Sequence, residues 1–421
     1  MCTRLKINHL AIRQAKTMLN YDLVVCGAGP AGTMAAAEAA KAGLKVALLE
    51  KQFLPRHKTC GGGMPMAMQD SLRDLAPEAF VESQVTYMRH TWNFDDAYLA
   101  PINPDRVDRQ LLLWMVQRSV FDNALAQRAV RSGAELRDGL AVRSLEVESD
   151  GIKVSAQDIK TGSHFVAKAN YVIGADGANG VTVKSTRLRQ NRAIALAMEI
   201  EHPHHWGDGH IDLRPDVAHL EYGAIKRGYA WIFPKADHLN IGAGVFRPDR
   251  QDARSSHLRA DLQQTIFEYV EAMGLQIDRD KARFHAHPLP TWNGKEPLHE
   301  GRILLVGDAA GLINPLFGDG ILHAVKSGTI AAQCLIDGAV DQYTDRIHAE
   351  FAANFDAALT LAQVFYQWTG ACYKYGVKSE KATRMATQLL YGDLLFTDMA
   401  GRAMRKLKRS VGATFFPAFN S

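Results

Sequence analysis

The chain has 421 residues, of which 47% are hydrophobic and 22% charged, and its formal net charge is +4. That balance excludes wholesale disorder and carries no nucleic-acid signal, while five scattered cysteines without a C-x-x-C pair exclude a disulfide framework and suit a reducing compartment. No apolar run reaches the roughly 18 residues that span a bilayer, so a cytoplasmic chain of about two to three domains is expected.

Residues 1–20 carry Arg4, Lys6, Arg13 and Lys16 but no continuous apolar core, and read as a basic extension ahead of the first strand. Tyr21 to Cys26 is a β-rich run. An alanine-rich helix over Ala31 to Ala42 follows, closed by Gly43, and Val46 to Leu49 is the next strand. Together these predict a βαβ unit. Asp108 to Ser132 reads as one long helix. Residues 135–175 alternate strands with Ser149-Asp150-Gly151 and Thr161-Gly162-Ser163 turns. Between 193 and 246, strand-like segments broken by glycine, proline and histidine predict an antiparallel sheet, followed by a helix near 256–273. Ile303 to Val306 is a buried strand leading into a helix from about Gly320 to Ile336, and the pattern is helical from 341 onward.

Gly27, Gly29 and Gly32 form G-x-G-x-x-G between a strand and a helix. The first glycine permits a tight turn, the second admits a pyrophosphate, and the third lets helix and strand pack closely; the helix N-terminus adds free N–H groups. Glu50 ends the second strand 18 residues after Gly32, where a ribose-binding carboxylate belongs, with Lys51 beside it. A dinucleotide site on a Rossmann-type unit is therefore expected.

The second half of the chain indicates which dinucleotide. Residues 304–320, LLVGDAAGLINPLFGDG, resemble the second FAD fingerprint of the p-hydroxybenzoate hydroxylase-like flavoproteins. That resemblance implies that Asp308 holds the ribityl chain and that Pro315, Gly318 and Gly320, with Ile321, shape the flavin pocket. Gly174-Ala175-Asp176-Gly177 is similar to the family's intervening Asp-Gly motif near the pyrophosphate. Its usual serine and arginine are replaced by Gly180 and Val181-Thr182-Val183-Lys184. Arg118, Phe121, Asp122 and Leu125 match a helix whose arginine faces the FAD pyrophosphate.

Two further segments resemble the geranylgeranyl reductases. Arg56-His57-Lys58-Thr59-Cys60-Gly61-Gly62-Gly63 is similar to their R-x-K-x-C-G-G-G run, and Tyr229-Ala230-Trp231-Ile232-Phe233-Pro234 to their Y-x-W-x-F-P signature. Strand alternation would place Tyr229, Trp231 and Phe233 on one apolar face, suited to an isoprenoid tail. The resemblance implies an α/β fold: a Rossmann-type FAD-binding domain (21–186 and 299–340, with 86–100 contributing to the substrate side), an antiparallel-sheet substrate domain (187–298) and a C-terminal helical region (341–421). It further implies hydride transfer from reduced FAD to isoprenoid double bonds, with NADPH or another electron donor as reductant. Cys60, Tyr229 and Trp231 are the candidate catalytic residues, and Gly61 a flavin contact. Monooxygenases and halogenases share the FAD motifs and form the alternative.

The basic neighbours of Cys60 would activate its thiol if they lay close in space. The equal alternative is a small residue packed beside glycines. His202, His204 and His205 suggest a metal cluster, but Pro203 breaks the spacing and a solvated turn is expected. Arg402, Arg405, Lys406, Lys408 and Arg409 share a helical stretch with Met404 and Leu407, a pattern that fits peripheral contact with an anionic membrane.

Overall fold

The computed structural model describes residues 18–103, 111–190, 192–207, 210, 212–246 and 256–399. Strand β1 (Leu19–Cys26) leads into α1 (Pro30–Lys41) and then β2 (Val46–Leu49), which pairs parallel with β1. Both strands are continuous apolar runs because both faces are covered: Leu23, Val24, Val25 and Leu48 are fully buried. The alanine content of α1 has a similar cause, since its neighbours press directly on its backbone and Ala35, Ala36, Ala37 and Ala39 are fully buried.

Beyond the Cys60 segment come β3 (Gly63–Pro65), β4 (Val81–Val85), the hairpin β5 (Tyr87–Trp92) and β6 (Asp95–Pro101), then β7 (Leu113–Val116) and α2 (Arg118–Arg131). The expected single helix from Asp108 to Ser132 is thus a strand followed by a helix. Leu111 to Val116 is an unbroken apolar run, and its residues are buried on both faces as β7 pairs between β3 and β4. Such a run has no helical period. Residues 104–110 lie outside the described residues.

Strands β8 (Glu135–Arg137), β9 (Leu140–Glu148), β10 (Gly151–Asp158) and β11 (His164–Gly174) follow, with the short α3 (Val181–Lys184) after them. The next segment contains β12 (Ala193–Pro203), β13 (Val217–Glu221), β14 (Gly228–Pro234), β15 (His238–Val245), α4 (Ser256–Ala272) and β16 (His285–Thr291). The chain returns through β17 (His299–Glu300) and β18 (Ile303–Leu305) to α5 (Ile321–Ile336). An eight-stranded sheet runs β17-β18-β11-β1-β2-β8, with β10 and β9 continuing from β11. A seven-stranded sheet runs β16-β12-β15-β14-β13-β5-β6. Its pairings are antiparallel except β13 with β5, which is parallel because β5 arrives from the distant 86–100 segment.

Helix α4 seals one face of the seven-stranded sheet, where Leu262, Ile266 and Val270 pack on Ala230, Ile232 and Ile241. The alternation of β14 therefore turns Tyr229, Trp231 and Phe233 to the opposite face. The last described elements are α6 (Tyr343–Gln367), α7 (Thr369–Cys372), a single π-helical turn at Tyr373–Val377, and α8 (Glu380–Tyr391). The Tyr391 hydroxyl accepts the Met66 N–H at 3.2 Å, which ties the end of α8 to the edge of β3. The basic stretch Arg402–Arg409 lies outside the described residues.

Candidate active site

A cavity of about 910 Å³ runs from the Gly27–Ala31 turn, past Cys60–Gly63 and Asp308, to the aromatic face of β14. The three glycines at its head do different jobs. Gly27 has φ +109°, and a side chain there would strike the Ala175 carbonyl at 2.3 Å. A Cβ on Gly32 would lie 1.9 Å from the Gly27 oxygen, so helix and strand touch through it. A Cβ on Gly29 meets nothing nearer than Arg56 at 4.0 Å, so this glycine faces open cavity at the N-terminus of α1. An open approach to unpaired helix N–H groups is the cradle a pyrophosphate requires, and the residues present fit a dinucleotide.

Glu50 is 4% exposed. Its carboxylate accepts the Ala28 N–H at 2.9 Å and the Gln52 N–H at 3.1 Å, and lies 3.5 Å from the Arg56 guanidinium. It braces the glycine turn as well as lining the cavity. Lys51 is exposed on the rim. Arg118 lines the cavity with Nε and Nη2 donating to both oxygens of the fully buried Asp122, at 2.8 and 2.9 Å. Burial opposes the guanidinium charge, but Asp122 and the Cys60 sulfur hold its pKa above the ordinary arginine value. Asp176 lines the cavity while accepting the Thr182 N–H at 2.9 Å, and so caps α3. Burial raises its pKa against those bonds.

Asp308 sits at the carboxyl end of β18, 3.8 Å from His287. Burial works against its charge, yet His287, Lys58 and Arg118 keep its pKa below the usual carboxylate range. Gly318, Gly320 and Ile321 line the cavity, whereas Pro315 is buried behind the wall. The Tyr229 hydroxyl donates to the Phe317 carbonyl at 2.5 Å, and its ring stacks on Phe246 at 4.8 Å. Trp231 donates to Asn240 Oδ1 at 2.8 Å.

Of the three basic neighbours of Cys60 in sequence, only Lys58 acts on the thiol from close by. Arg56 turns to Glu50 and Asp122, and His57 to Glu201 and His285. The half-buried sulfur instead sits beside Arg118 and in the field of Lys58 and Lys235. Gly61 and Gly62 are required by packing: a Cβ would meet Phe233 at 2.7 Å and the Val116 carbonyl at 2.1 Å respectively. The histidine cluster is not a solvated turn throughout, because His204 is buried edge-on against Trp206 and His202 meets the Gln276 carbonyl at 2.8 Å. Among the described residues no group of three His, Cys, Asp or Glu side chains is placed to hold a metal.

The FAD-binding domain family model matches residues 20–350. A chloroplastic geranylgeranyl diphosphate reductase of Nicotiana tabacum is 30% identical over 86% of this chain and 79% of its own. The geranylgeranyl diphosphate reductase of Rhodobacter capsulatus is 32% identical over 75% of each. The chain belongs to the geranylgeranyl reductase family. It is an FAD-dependent oxidoreductase.

Solved structures place the family within a broader fold. A geranylgeranyl bacteriochlorophyll reductase-like protein of Thermoplasma acidophilum superposes with a TM-score of 0.71 at 21% identity, covering 93% of this chain and 96% of its own. A flavin-dependent brominase superposes at 0.68 and 18% identity, covering 93% and 100%. The shared fold alone therefore does not choose between reductase and halogenase.

Several cavity residues of this family member carry no local motif. Helix α8 contributes Thr383, Ala386, Thr387 and Leu390, and α6 contributes Phe365, so the C-terminal helices roof the far lobe. His90 bridges that roof to the sheet: its ring nitrogens lie 3.1 Å from the Tyr222 hydroxyl and 3.0 Å from the Thr383 hydroxyl. Burial lowers its pKa to about 4, so it is neutral near pH 7. Glu199, within β12, and Lys235, at the end of β14, also reach the Cys60 loop. The sequence shows only that the chain is helical from 341 onward; the spatial meetings depend on the fold.

Proposed function

We propose that the chain reduces carbon–carbon double bonds of an isoprenoid substrate, with FAD held along the Gly27–Gly32 turn and NADPH or another electron donor as reductant. The observation that carries this reading is the single cavity joining the dinucleotide cradle to a long apolar lobe under α6 and α8. Each methylene buried in such a lobe contributes about 0.8 kcal/mol. FAD, once reduced, supplies a hydride; the chain's residues supply everything else. Gly29 and the α1 N-terminus receive the pyrophosphate, with Arg118 and Asp176 nearby, while Glu50 and Lys51 meet the adenosine ribose. Asp308 holds the ribityl chain, and Gly61, Gly318, Gly320 and Ile321, backed by Pro315, bound the ring. Tyr229, Trp231 and Phe233 form the wall on which the alkene lies, and Cys60 lines the cavity beside them on the loop that packs against Phe233.

A trisubstituted alkene accepts hydride at its more substituted carbon only as its other carbon takes a proton. Asp319 is the candidate to hold that proton. It is among the residues lining the cavity, burial raises its pKa against the opposing influence of His323 at 3.7 Å, and its buried Oδ1 meets no hydrogen-bond donor among the described residues. Among the described residues no helix is long and apolar enough to cross a membrane. A cytoplasmic protein that meets anionic membrane surfaces through Arg402–Arg409 belongs to the same reading.

Asp308→Ala should weaken FAD binding by about 1.5–3 kcal/mol, the worth of a hydrogen bond to a charged group. Titration of the apoprotein with FAD by flavin fluorescence checks this, and unchanged affinity would remove Asp308 from the cradle.

The reading as a whole is tested by the fate of the reducing electrons. Protein photoreduced without oxygen and mixed with geranylgeranyl diphosphate should reoxidise and release product two hydrogens heavier. A product bearing labelled oxygen when the run is repeated under labelled dioxygen would replace the reductase reading with a monooxygenase.

A further inference from the structure

Two buried, oppositely charged side chains from the seven-stranded sheet hold the Cys60–Gly62 backbone. Glu199 on β12 and Lys235 at the end of β14 are each 1% exposed. Glu199 Oε1 accepts the Cys60 N–H at 2.8 Å. The Lys235 ammonium donates to the Gly61 carbonyl at 2.7 Å and to the Val116 carbonyl at 2.8 Å. Two further loop groups pair nearby: the Gly62 N–H donates to the Cys60 sulfur at 3.4 Å, and the Gly62 carbonyl accepts the Val116 N–H at 3.0 Å.

Neutral backbone partners would satisfy an N–H and a carbonyl equally well, and buried charges are the more expensive anchors. What the charges add is a tie between two otherwise separate segments. Asn240 accepts the Trp231 indole N–H at 2.8 Å and hydrogen-bonds Glu199 as well. The path Trp231–Asn240–Glu199–Cys60 therefore connects the aromatic strand to the thiol loop, and Lys235 closes the loop onto β7.

We infer that Glu199 and Lys235 are positioning residues for the Cys60 thiol, fixing the Cys60–Gly62 backbone against the aromatic strand, with the grip on Cys60 set by whether Glu199 carries a proton. This deepens the function proposed above but is tested without substrate. Burial lifts the Glu199 pKa to about 7, against the opposing Cys60 N–H, Asn240 and Lys235 and with the aid of Glu201. Burial likewise lowers Lys235 to about 8, opposed by the Cys60, Glu82, Glu199 and Glu201 side chains. As pH rises through the Glu199 pKa, the carboxylate forms and draws the Cys60 N–H more strongly. The Cys60 end of the loop therefore tightens between about pH 7 and pH 8, above which the Lys235 ammonium loses its charge and its hold on the Gly61 carbonyl weakens.

The test is iodoacetamide alkylation of Cys60, followed peptide by peptide in the flavin-loaded full chain with Cys2 and Cys372 replaced by serine. Wild-type protein should show an inflection between about pH 6 and pH 8 beyond the thiol's own ionisation. Glu199→Gln keeps an acceptor for the Cys60 N–H but cannot titrate, and should erase that inflection. Lys235→Met removes a cation that favours the Glu199 carboxylate, and should move the inflection upward. Asn240→Ser, a milder change, should move the inflection upward because the carboxylate loses a donor. A variant-to-wild-type rate ratio that stays constant across pH for Glu199→Gln and Asn240→Ser would overturn the proposal. Failure of alkene reduction leaves these rates unaltered, so the two readings fail separately.

Discussion

Gly29→Val should abolish FAD binding while leaving the protein folded. Valine's Cβ would occupy cavity space with no atom nearer than 4.0 Å, and the backbone there, at φ −79° and ψ 179°, is one that valine adopts readily. The cost to the fold is that of a poorer helix N-cap, about 1 kcal/mol. The cost to the ligand is much larger, because a branched side chain stands where the pyrophosphate approaches the helix N–H groups. A loss of affinity of about 100-fold or more, equivalent to about 2.7 kcal/mol or more, is expected. Gly32→Val should behave in the opposite order, since its Cβ would sit 1.9 Å from the Gly27 oxygen and the unit itself would fail to close. Isothermal titration with FAD alongside chemical denaturation separates the two. Normal FAD affinity in a folded Gly29→Val protein would show that the βαβ turn is not the nucleotide site.

Asp122→Ala should destabilise the fold by about 3–5 kcal/mol, the cost of leaving a buried ion without its partner. Asp122 is fully buried and serves two guanidiniums: it takes two bonds from Arg118 and a third, at 2.9 Å, from Arg56. Arg56 retains Glu50 at 3.5 Å, but the bidentate pair with Arg118 is lost. The damage also reaches the cofactor cradle, because Arg56 holds the Glu50 carboxylate that braces Ala28. Asp122→Asn, which keeps the shape and two of the acceptor contacts, should cost less. The denaturant midpoint and its slope measure both variants; a shift below about 1 kcal/mol for Asp122→Ala would mean that water or another group replaces the carboxylate.

The parts of the molecule legible in the sequence are those whose constraints are local. Gly27 needs a positive φ and Gly32 a close contact five residues away, so the turn announces itself within a short window. Tyr229, Trp231 and Phe233 declare their common face through alternation, given only that β14 is a strand. The β7 segment was misread because six apolar residues in a row were fused with the amphipathic pattern of α2. Glu199 and Lys235 look like ordinary charged residues until the sheet brings them to the Cys60 loop from more than a hundred positions away. His90 and Thr383 meet across still more of the chain. The Cys60-Gly-Gly-Gly run was legible as a motif, but the reason for its first two glycines, the Phe233 ring and the Val116 carbonyl, was not.

The roof formed by α6 and α8 puts the cover of the far lobe and the glycine turn in separate stretches of the chain. The glycine turn lies after β1 and Asp308 after β18, whereas the roof residues Phe365, Thr383, Ala386, Thr387 and Leu390 all lie beyond residue 340. Bulkier side chains at Ala386 or Leu390 should shorten the apolar chain that fits while leaving FAD affinity unchanged, which product analysis and flavin titration together check.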